Sequence, residues 1–156
     1  MAEKILVISG KGGVGKSSVS VGLANAMCSM GKSVLLVDAD VGFRSLDLIM
    51  NIGSQVVYNW LDIIENRCSF SQAVVSGDGM PDLLSAPSDF SESITKESVS
   101  ELLSRADNDY DYVLVDSAAG ADSFTKYWQR FATEPLRSLP VTPFVSEALT
   151  RRSERS

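Results

Sequence analysis

Short apolar segments recur along the first 116 residues, and each is too short for a helix. KILVIS at 4–9 runs into Gly10, while SVLLVD at 33–38 and DYVLVD at 111–116 both end in aspartate. Continuous apolar runs of this length, rich in β-branched residues, are typical of strands buried on both faces. PDLLSAP at 81–87 is a weaker candidate because prolines bracket it. The pattern therefore predicts these segments as strands.

Between the strand candidates, three segments space their apolar residues as helices do. The residues expected on one face are Val19, Leu23, Ala26, Met27 and Met30 in the first segment, Val57, Trp60, Leu61 and Ile64 in the second, and Val99, Leu102, Leu103 and Ala106 in the third. Gly31 stands where a helix C-terminal cap is expected, and Ser98 with Glu101 fits a capping box. Strands alternating with helices predict an α/β fold with a mostly parallel sheet, flanked by helices, that binds ligands at the carboxyl ends of its strands.

A glycine-rich segment, GKGGVGKSS at 10–18, directly follows the first strand candidate. It fits the phosphate-binding pattern GxxxxGK[ST], with the preceding strand and following helix that this pattern requires. Glycines let backbone N–H groups curl around a phosphate, and the helix N-terminus adds partial positive charge. Lys16 is predicted to reach the β- and γ-phosphates, and Ser17 to ligate Mg²⁺. The residues predicted to bind the nucleotide are Gly10, Lys11, Gly12, Gly13, Val14, Gly15, Lys16, Ser17 and Ser18.

Aspartates stand at the ends of two strand candidates, on the edge of the sheet where the glycine-rich segment begins. Asp116 occupies the position of a Walker B aspartate and is predicted to hold magnesium. Asp38 and Asp40 flank Ala39, so that in an extended chain both would face the same way, toward the γ-phosphate. One of them could orient the attacking water. The alternative for both is a solvated loop carboxylate.

The composition narrows the possible chemistry. The sequence contains no histidine, which excludes Ser-His-Asp and HExxH catalysis within this chain. Cys28 and Cys68 make neither a disulfide framework nor a CxxC metal motif. No run approaches the roughly 18 apolar residues of a membrane span and no secretory pattern is seen, so the expected compartment is the cytoplasm. Residues 1–123 carry 8 basic and 17 acidic side chains, a balance that does not favour duplex DNA as a partner.

The glycine-rich segment resembles the deviant Walker A motif of the MinD/ParA class of P-loop ATPases. In that class the extra lysine, here Lys11, crosses a nucleotide-bound dimer to the phosphates of the other copy. Residues 37–50, 56–75 and 111–120 resemble the first switch, the stretch after it, and the Walker B and second switch of the MinD branch. This resemblance covers residues 3–123 and implies that Lys11, Lys16 and Asp40 act in catalysis, with Asp40 orienting water, while Asp116 serves magnesium. Ala118 departs from the proline usual in the class, which puts the timing of the second switch in question.

The resemblance implies an Mg-ATP-dependent, dimerising ATPase that acts in division-site placement and binds ATP or ADP. Such a protein would work from the cytoplasm at the inner membrane, recruit a MinC-like septum inhibitor and respond to a MinE-like topological-specificity factor. Two alternatives stay open: a ParA-like partitioning ATPase that binds DNA, and a nucleotide-binding module that neither dimerises nor turns over. Iron–sulfur relatives need paired cysteines near the second switch, where Ser117, Ala118 and Ala119 stand.

Beyond residue 123 the pattern changes. Residues 124–156 hold three of the five prolines, carry 6 basic and 3 acidic side chains, and show no further buried-strand pattern. We therefore expect an ATPase domain at 1–123 and an atypical, unrelated or disordered tail at 124–156, with the C-terminal half of the family fold missing through truncation or a frame shift. The alternative for the tail is a basic amphipathic membrane anchor, built from Phe124, Lys126, Tyr127, Trp128, Arg130 and Phe131.

Overall fold

The structure, a computed structural model, describes residues 1–8, 15–117 and 136–140. Its strands are β1 (Glu3–Ile8), β2 (Val34–Asp38), β3 (Asp82–Leu84), β4 (Tyr112–Asp116) and β5 (Leu136–Pro140). Its helices are α1 (Lys16–Ser29), α2 (Ser45–Ile49), α3 (Trp60–Ile64), α4 (Phe70–Ala73) and α5 (Lys96–Ser104), with one 3₁₀ turn at Gly53–Gln55. Every strand and helix predicted from the sequence forms, although several ends are shifted.

The strands form one parallel sheet in the order β3-β2-β4-β1-β5. β4 lies between β1 and β2, so that Val115 pairs with Leu6 on one side and with Val37 on the other. Parallel pairing brings the carboxyl ends of these three strands to one edge, where Asp38 and Asp116 are partners in register. The predicted α/β class is confirmed, and the candidate site lies at this edge.

Side chains of the central strands alternate between two apolar layers. Leu35 and Val37 of β2 pack in the layer that contains α3 and α5, whereas Val34 and Leu36 pack in the layer that contains α1 and α2. Trp60, fully buried at the start of α3, is the largest side chain of the first layer. Because helices cover both faces of the sheet, its central strands are apolar throughout, which is why they show no polar alternation in the sequence.

The buried face of α1 differs from the predicted one. Val19 is buried as expected, but Ala26 and Met30 are exposed. The N-terminal half of the helix packs against the sheet, through Val19 and Ala24 among others. Leu23 and Met27 are only partly buried against the same layer. The predicted cap is confirmed: Gly31 follows the helix at φ +82°, and its N–H donates to the carbonyl of Cys28.

The other two predicted helices begin at different residues than expected. Val57 lies before α3 and is 77% exposed, because the helix starts at Trp60 behind an Asn59 cap. α5 starts at Lys96, so its capping box consists of Thr95 and Ser98 and not of Ser98 and Glu101. The short helices α2 and α4 were not predicted, since four or five residues are too few to show helical periodicity.

Strand β5 corrects the expectation that no strand follows residue 123. It pairs in parallel with β1, from Leu136 opposite Lys4 to Pro140 opposite Ile8. Its sequence, LRSLP, contains arginine and serine and ends in proline, so it lacks the continuous apolar pattern of the other strands. Proline is tolerated at the edge of a sheet because the N–H it lacks is not needed for a further neighbour. The division of the chain at residue 123 stays a prediction.

Candidate nucleotide-binding site

The candidate site lies where β1, β2 and β4 end and α1 begins. Gly15, just before α1, has φ +81°, a left-handed conformation that favours glycine. Lys16 opens the helix, and Ser20 lies four residues later on the same helix face. The predicted nucleotide-binding residues at 10–14, Lys11 among them, lie outside the described residues. Ser18, also predicted at the site, is exposed on the first turn of α1.

The carboxylate of Asp116, the last residue of β4, accepts three hydrogen bonds from α1. Its Oδ1 accepts from Lys16 Nζ at 2.6 Å and from Ser20 Oγ at 2.8 Å, and its Oδ2 accepts from Ser17 Oγ at 2.7 Å. Asp116 is fully buried and Lys16 is 7% exposed, so solvent screens this ion pair weakly. The cluster satisfies a buried charge and fixes the start of α1 to the end of β4.

The residues in this cluster fit a magnesium ion at a phosphate loop. Mg²⁺ prefers oxygen ligands, keeps several waters, and is usually held by one or two protein groups together with substrate phosphates. The Ser17 hydroxyl and the Asp116 carboxylate supply such oxygens within 2.7 Å of each other. Within residues 1–8 and 15–117, no group of three or more Cys, Asp or Glu side chains is arranged to hold a metal. The structure thus brings Lys16, Ser17 and Asp116 together as expected, while their roles stay predictions.

The chain does not stay extended between Asp38, at the end of β2, and Asp40. Its Oδ1 accepts the Asp40 N–H at 3.0 Å, and its Oδ2 accepts the Leu46 N–H at 3.2 Å. Asp38 is 1% exposed, and burial raises the pKa of its carboxyl to about 7, against the lowering effect of the two N–H groups. The interpretation of Asp38 as a solvated loop carboxylate is wrong: it anchors a turn from inside the protein.

Asp40 follows the strand and is half-buried. Its N–H donates to Asp38, and its carbonyl accepts the N–H of Phe43 at 3.2 Å and of Arg44 at 3.4 Å. These bonds fold residues 40–44 into a turn that leads into α2. Its proposed role with the attacking water stays a prediction.

Three side chains at this edge were missed from the sequence. Ser20 donates to Asp116, Ser45 of α2 lies with its Oγ 3.1 Å from Ser17 Oγ, and Trp60 Nε1 donates to the Asp38 carbonyl at 2.8 Å. The spacing of Ser20 from Lys16 could have indicated a shared helix face. No local pattern links Ser45 or Trp60 to residues this far away in the chain, since only the folded topology brings them here.

Ser117 ties the start of the predicted second switch to β1. It is fully buried, and its Oγ donates to the Val7 carbonyl at 2.8 Å. Ala118 and the candidate anchor residues beyond it lie outside the described residues. Within the part of the chain that is described, no helix is long and apolar enough to cross a membrane.

Comparison with known proteins gives a family and several relatives. The ParA family model, described as NUBPL iron-transfer P-loop NTPase, matches residues 1–130. The septum site-determining protein MinD of Bacillus subtilis is 36% identical over 126 residues, which are 78% of this chain and 47% of that protein. MinD of Escherichia coli K12 is 32% identical over 159 residues, or 99% of this chain and 57% of that protein. This last alignment continues past residue 123, into residues 124–156, the predicted atypical tail.

The chain is also similar to solved structures of MinD proteins. A MinC:MinD cell division protein complex from Aquifex aeolicus matches with TM-score 0.74 and 35% identity, over 89% of this chain and 55% of that one. MinD from Pyrococcus horikoshii, solved with Mg-ADP, matches with TM-score 0.75 and 25% identity, over 91% and 58% respectively. The chain spans about half the length of the curated relatives it matches.

Proposed function

We infer that this chain, which belongs to the ParA family of P-loop NTPases, binds ATP with Mg²⁺ and hydrolyses it. The observation that carries this proposal is the buried cluster in which the Asp116 carboxylate accepts hydrogen bonds from Lys16 and Ser17. It brings the predicted phosphate-loop lysine and serine next to the predicted Walker B aspartate, and P-loop enzymes hold phosphate and magnesium with these types of residue.

Each residue of the cluster has a separate task in this proposal. The Lys16 ammonium supplies positive charge for the β- and γ-phosphates, and Ser17 with Asp116 holds magnesium, which neutralises charge that develops on the phosphates. Burial makes these interactions strong, because fixed donors in a poorly screened site act without reorganising. By family resemblance, Asp40 orients the attacking water and Lys11 acts on the nucleotide of a second copy.

The cellular role that we propose is placement of the division site by an ATP-dependent homodimer. Support comes from similarity to MinD proteins of several organisms and to a MinD solved in complex with MinC. A MinC-like inhibitor is therefore the first partner to test. Stimulation by a MinE-like factor and residence at the inner membrane follow from family resemblance.

The rival functions within the family have less support. A partitioning ATPase binds DNA, whose recognition usually shows as a basic face, whereas residues 1–123 carry 17 acidic against 8 basic side chains. An iron carrier requires cysteine thiolates. Cys28 and Cys68 are both partly buried, and burial raises the pKa of each thiol, which disfavours the thiolate that iron needs.

Thermal unfolding with and without Mg-ADP tests nucleotide binding. A ligand that binds only the native state stabilises it by about 2.7 kcal/mol at a hundredfold excess over its Kd, which corresponds to a rise in Tm of roughly 5–11 °C for a chain of this size. Lys16→Ala is expected to abolish the rise, measured against its own ligand-free Tm. The matched control Lys32→Ala, which removes an exposed lysine, is expected to keep it. A rise that survives in Lys16→Ala would refute the phosphate-loop assignment.

Hydrolysis is tested separately, by phosphate release under saturating Mg-ATP. The proposal expects turnover that Asp40→Ala abolishes while Mg-ADP still raises Tm. Binding without turnover in the unmodified chain would instead favour the non-catalytic module.

A gel shift with nonspecific duplex DNA distinguishes the partitioning function, since the division-site proposal expects no nucleotide-dependent complex.

A further inference from the structure

A hydroxyl on α2 contacts the predicted magnesium ligand, and the phosphate-loop pattern does not account for it. Ser45 Oγ lies 3.1 Å from Ser17 Oγ. A serine hydroxyl has one proton to donate, and Ser17 donates its proton to the Asp116 carboxylate at 2.7 Å. Ser45 is therefore the donor in its contact with Ser17.

This assignment leaves room for a cation on Ser17. The oxygen of a hydroxyl has two lone pairs, one of which accepts the Ser45 proton while the other accepts no hydrogen bond from the residues that the structure describes. Ser45 and a metal can thus bind Ser17 at the same time. Two fixed hydrogen bonds, to Asp116 and from Ser45, orient the remaining lone pair.

Ser45 also stands at one end of a turn that is tied to Asp38 at both ends. The Asp38 carboxylate accepts the N–H of Asp40, near the start of the turn, and the N–H of Leu46, directly after Ser45. The Asp38 carbonyl accepts the indole N–H of Trp60. A displacement of Ser45 would therefore shift Asp38, which is bonded to both Asp40 and Trp60. The positions of Asp40 and Trp60 would change with it.

We propose that Ser45 is a positioning residue that couples magnesium binding at Ser17 to the turn that carries Asp40. The inference rests on the proposed function, because it takes Ser17 as the magnesium ligand and Asp40 as the residue that orients water. It adds the physical link between the two: one hydrogen bond from Ser45 to Ser17, and the two bonds by which Asp38 holds the turn. Since such coupling is reciprocal, a fixed turn also favours metal binding.

Trp60 provides a readout that does not depend on turnover. The chain contains two tryptophans, so in a Trp128→Phe background the tryptophan emission comes from Trp60, whose indole N–H donates to the Asp38 carbonyl. Mg²⁺ is titrated into the protein saturated with ADP, and ADP affinity is measured in parallel without metal. The background protein is expected to change its Trp60 emission as magnesium binds.

Variants of Ser45 distinguish a positioning role of its hydroxyl from a general effect of removing a serine. Ser45→Ala is expected to reduce the emission change by at least half and to raise the half-saturating Mg²⁺ concentration roughly two- to tenfold, the range that one net hydrogen bond supports. Ser45→Thr, which keeps the hydroxyl, is expected to restore both. Ser104→Ala removes a serine hydroxyl that donates to the Glu101 carbonyl of α5, and is expected to behave as the background.

Three results would overturn the inference. The first is a Ser45→Ala titration that matches the background. The second is a loss in Ser45→Thr as large as that in Ser45→Ala, which would mean that the hydroxyl is not what matters. The third is an unchanged Trp60 emission while magnesium measurably tightens ADP binding. Failure of the proposed function looks different, because the background protein would then not bind ADP, with or without magnesium.

Discussion

The buried ion pair between Lys16 and Asp116 yields a quantitative prediction about stability. In Asp116→Ala, the Lys16 ammonium and the Ser17 and Ser20 hydroxyls lose a common acceptor at a site that is shielded from water. Breaking a buried pair by removing one partner costs about 3–5 kcal/mol, because the other charge stays buried without compensation. We expect a fall in Tm of roughly 6–20 °C for a chain of this size.

Replacing both members of the pair is expected to cost much less. In Lys16→Met/Asp116→Leu no charge remains buried, and apolar side chains of similar size fill the space. The two hydroxyls that lose Asp116 have other partners: Ser20 Oγ lies 3.1 Å from the Lys16 carbonyl and can donate its proton there instead, and Ser17 Oγ contacts Ser45. The double variant is therefore expected to be destabilised by about 1–2 kcal/mol, the cost of imperfect packing.

Urea unfolding of the unmodified protein, Lys16→Met, Asp116→Leu and the double variant measures the coupling between the two side chains. The double variant is expected to be more stable than either single variant, although under the proposed function it would no longer bind phosphate. Lys32→Met serves as the control for loss of a lysine, since exposed positions usually change stability by less than about 0.5 kcal/mol. Single effects that add to the double effect within about 0.5 kcal/mol would show two independent sites, and the structural reasoning would be refuted.

Three further predictions follow from contacts outside the ion pair, and urea unfolding measures each. Trp60→Phe leaves the buried Asp38 carbonyl without its indole donor and should cost about 1–3 kcal/mol; a loss below 0.5 kcal/mol would contradict this. Thr95→Ala removes the N-cap of α5 and should cost about 1 kcal/mol, whereas Thr95→Ser should cost little. The pKa of Asp38 is raised from its ordinary 3.8 to about 7, so the folded state holds a proton that the unfolded state releases between these values. This proton contributes fully to stability below pH 4, and the contribution of roughly 4 kcal/mol is lost as the pH rises to 7. Asp38→Asn should flatten the dependence of the free energy of unfolding on pH, and an unchanged dependence would exclude Asp38 as its source.

The sequence predicts well those parts of the fold that local patterns encode. β1, β2 and β4 are buried or partly buried along their length, so each appears as a short apolar run with charged residues only at its ends. The phosphate-loop pattern is equally local, because its residues are adjacent in the chain. Lys16, Ser17 and Asp116 could therefore be assigned to one edge before their distances were known.

What the sequence could not predict depends on turns and on distant contacts. An extended chain would make Asp38 and Asp40 face the same way, but β2 ends at Asp38 and the next residues fold back onto its carboxylate. The role of Ser45 depends on the position of α2 against α1, which no spacing along the chain expresses. β5 was not predicted because an edge strand can carry polar residues and proline, and these residues normally argue against a strand.

Stability and phosphate binding do not compete for the Lys16 side chain. An ammonium has three N–H donors, and the bond to Asp116 Oδ1 uses one of them. Under the proposed function, the same lysine would hold Asp116 and still have N–H donors for phosphate oxygens, so that its charge would meet the nucleotide already oriented and already desolvated. Preorganisation of this kind makes electrostatic stabilisation effective, since neither group has to leave water or find its geometry when the phosphates arrive. The apolar double variant is therefore expected to recover most of the stability but not the proposed function: the ion pair adds little stability over an apolar pair, whereas its removal takes away the oriented charge that the proposed phosphate loop needs.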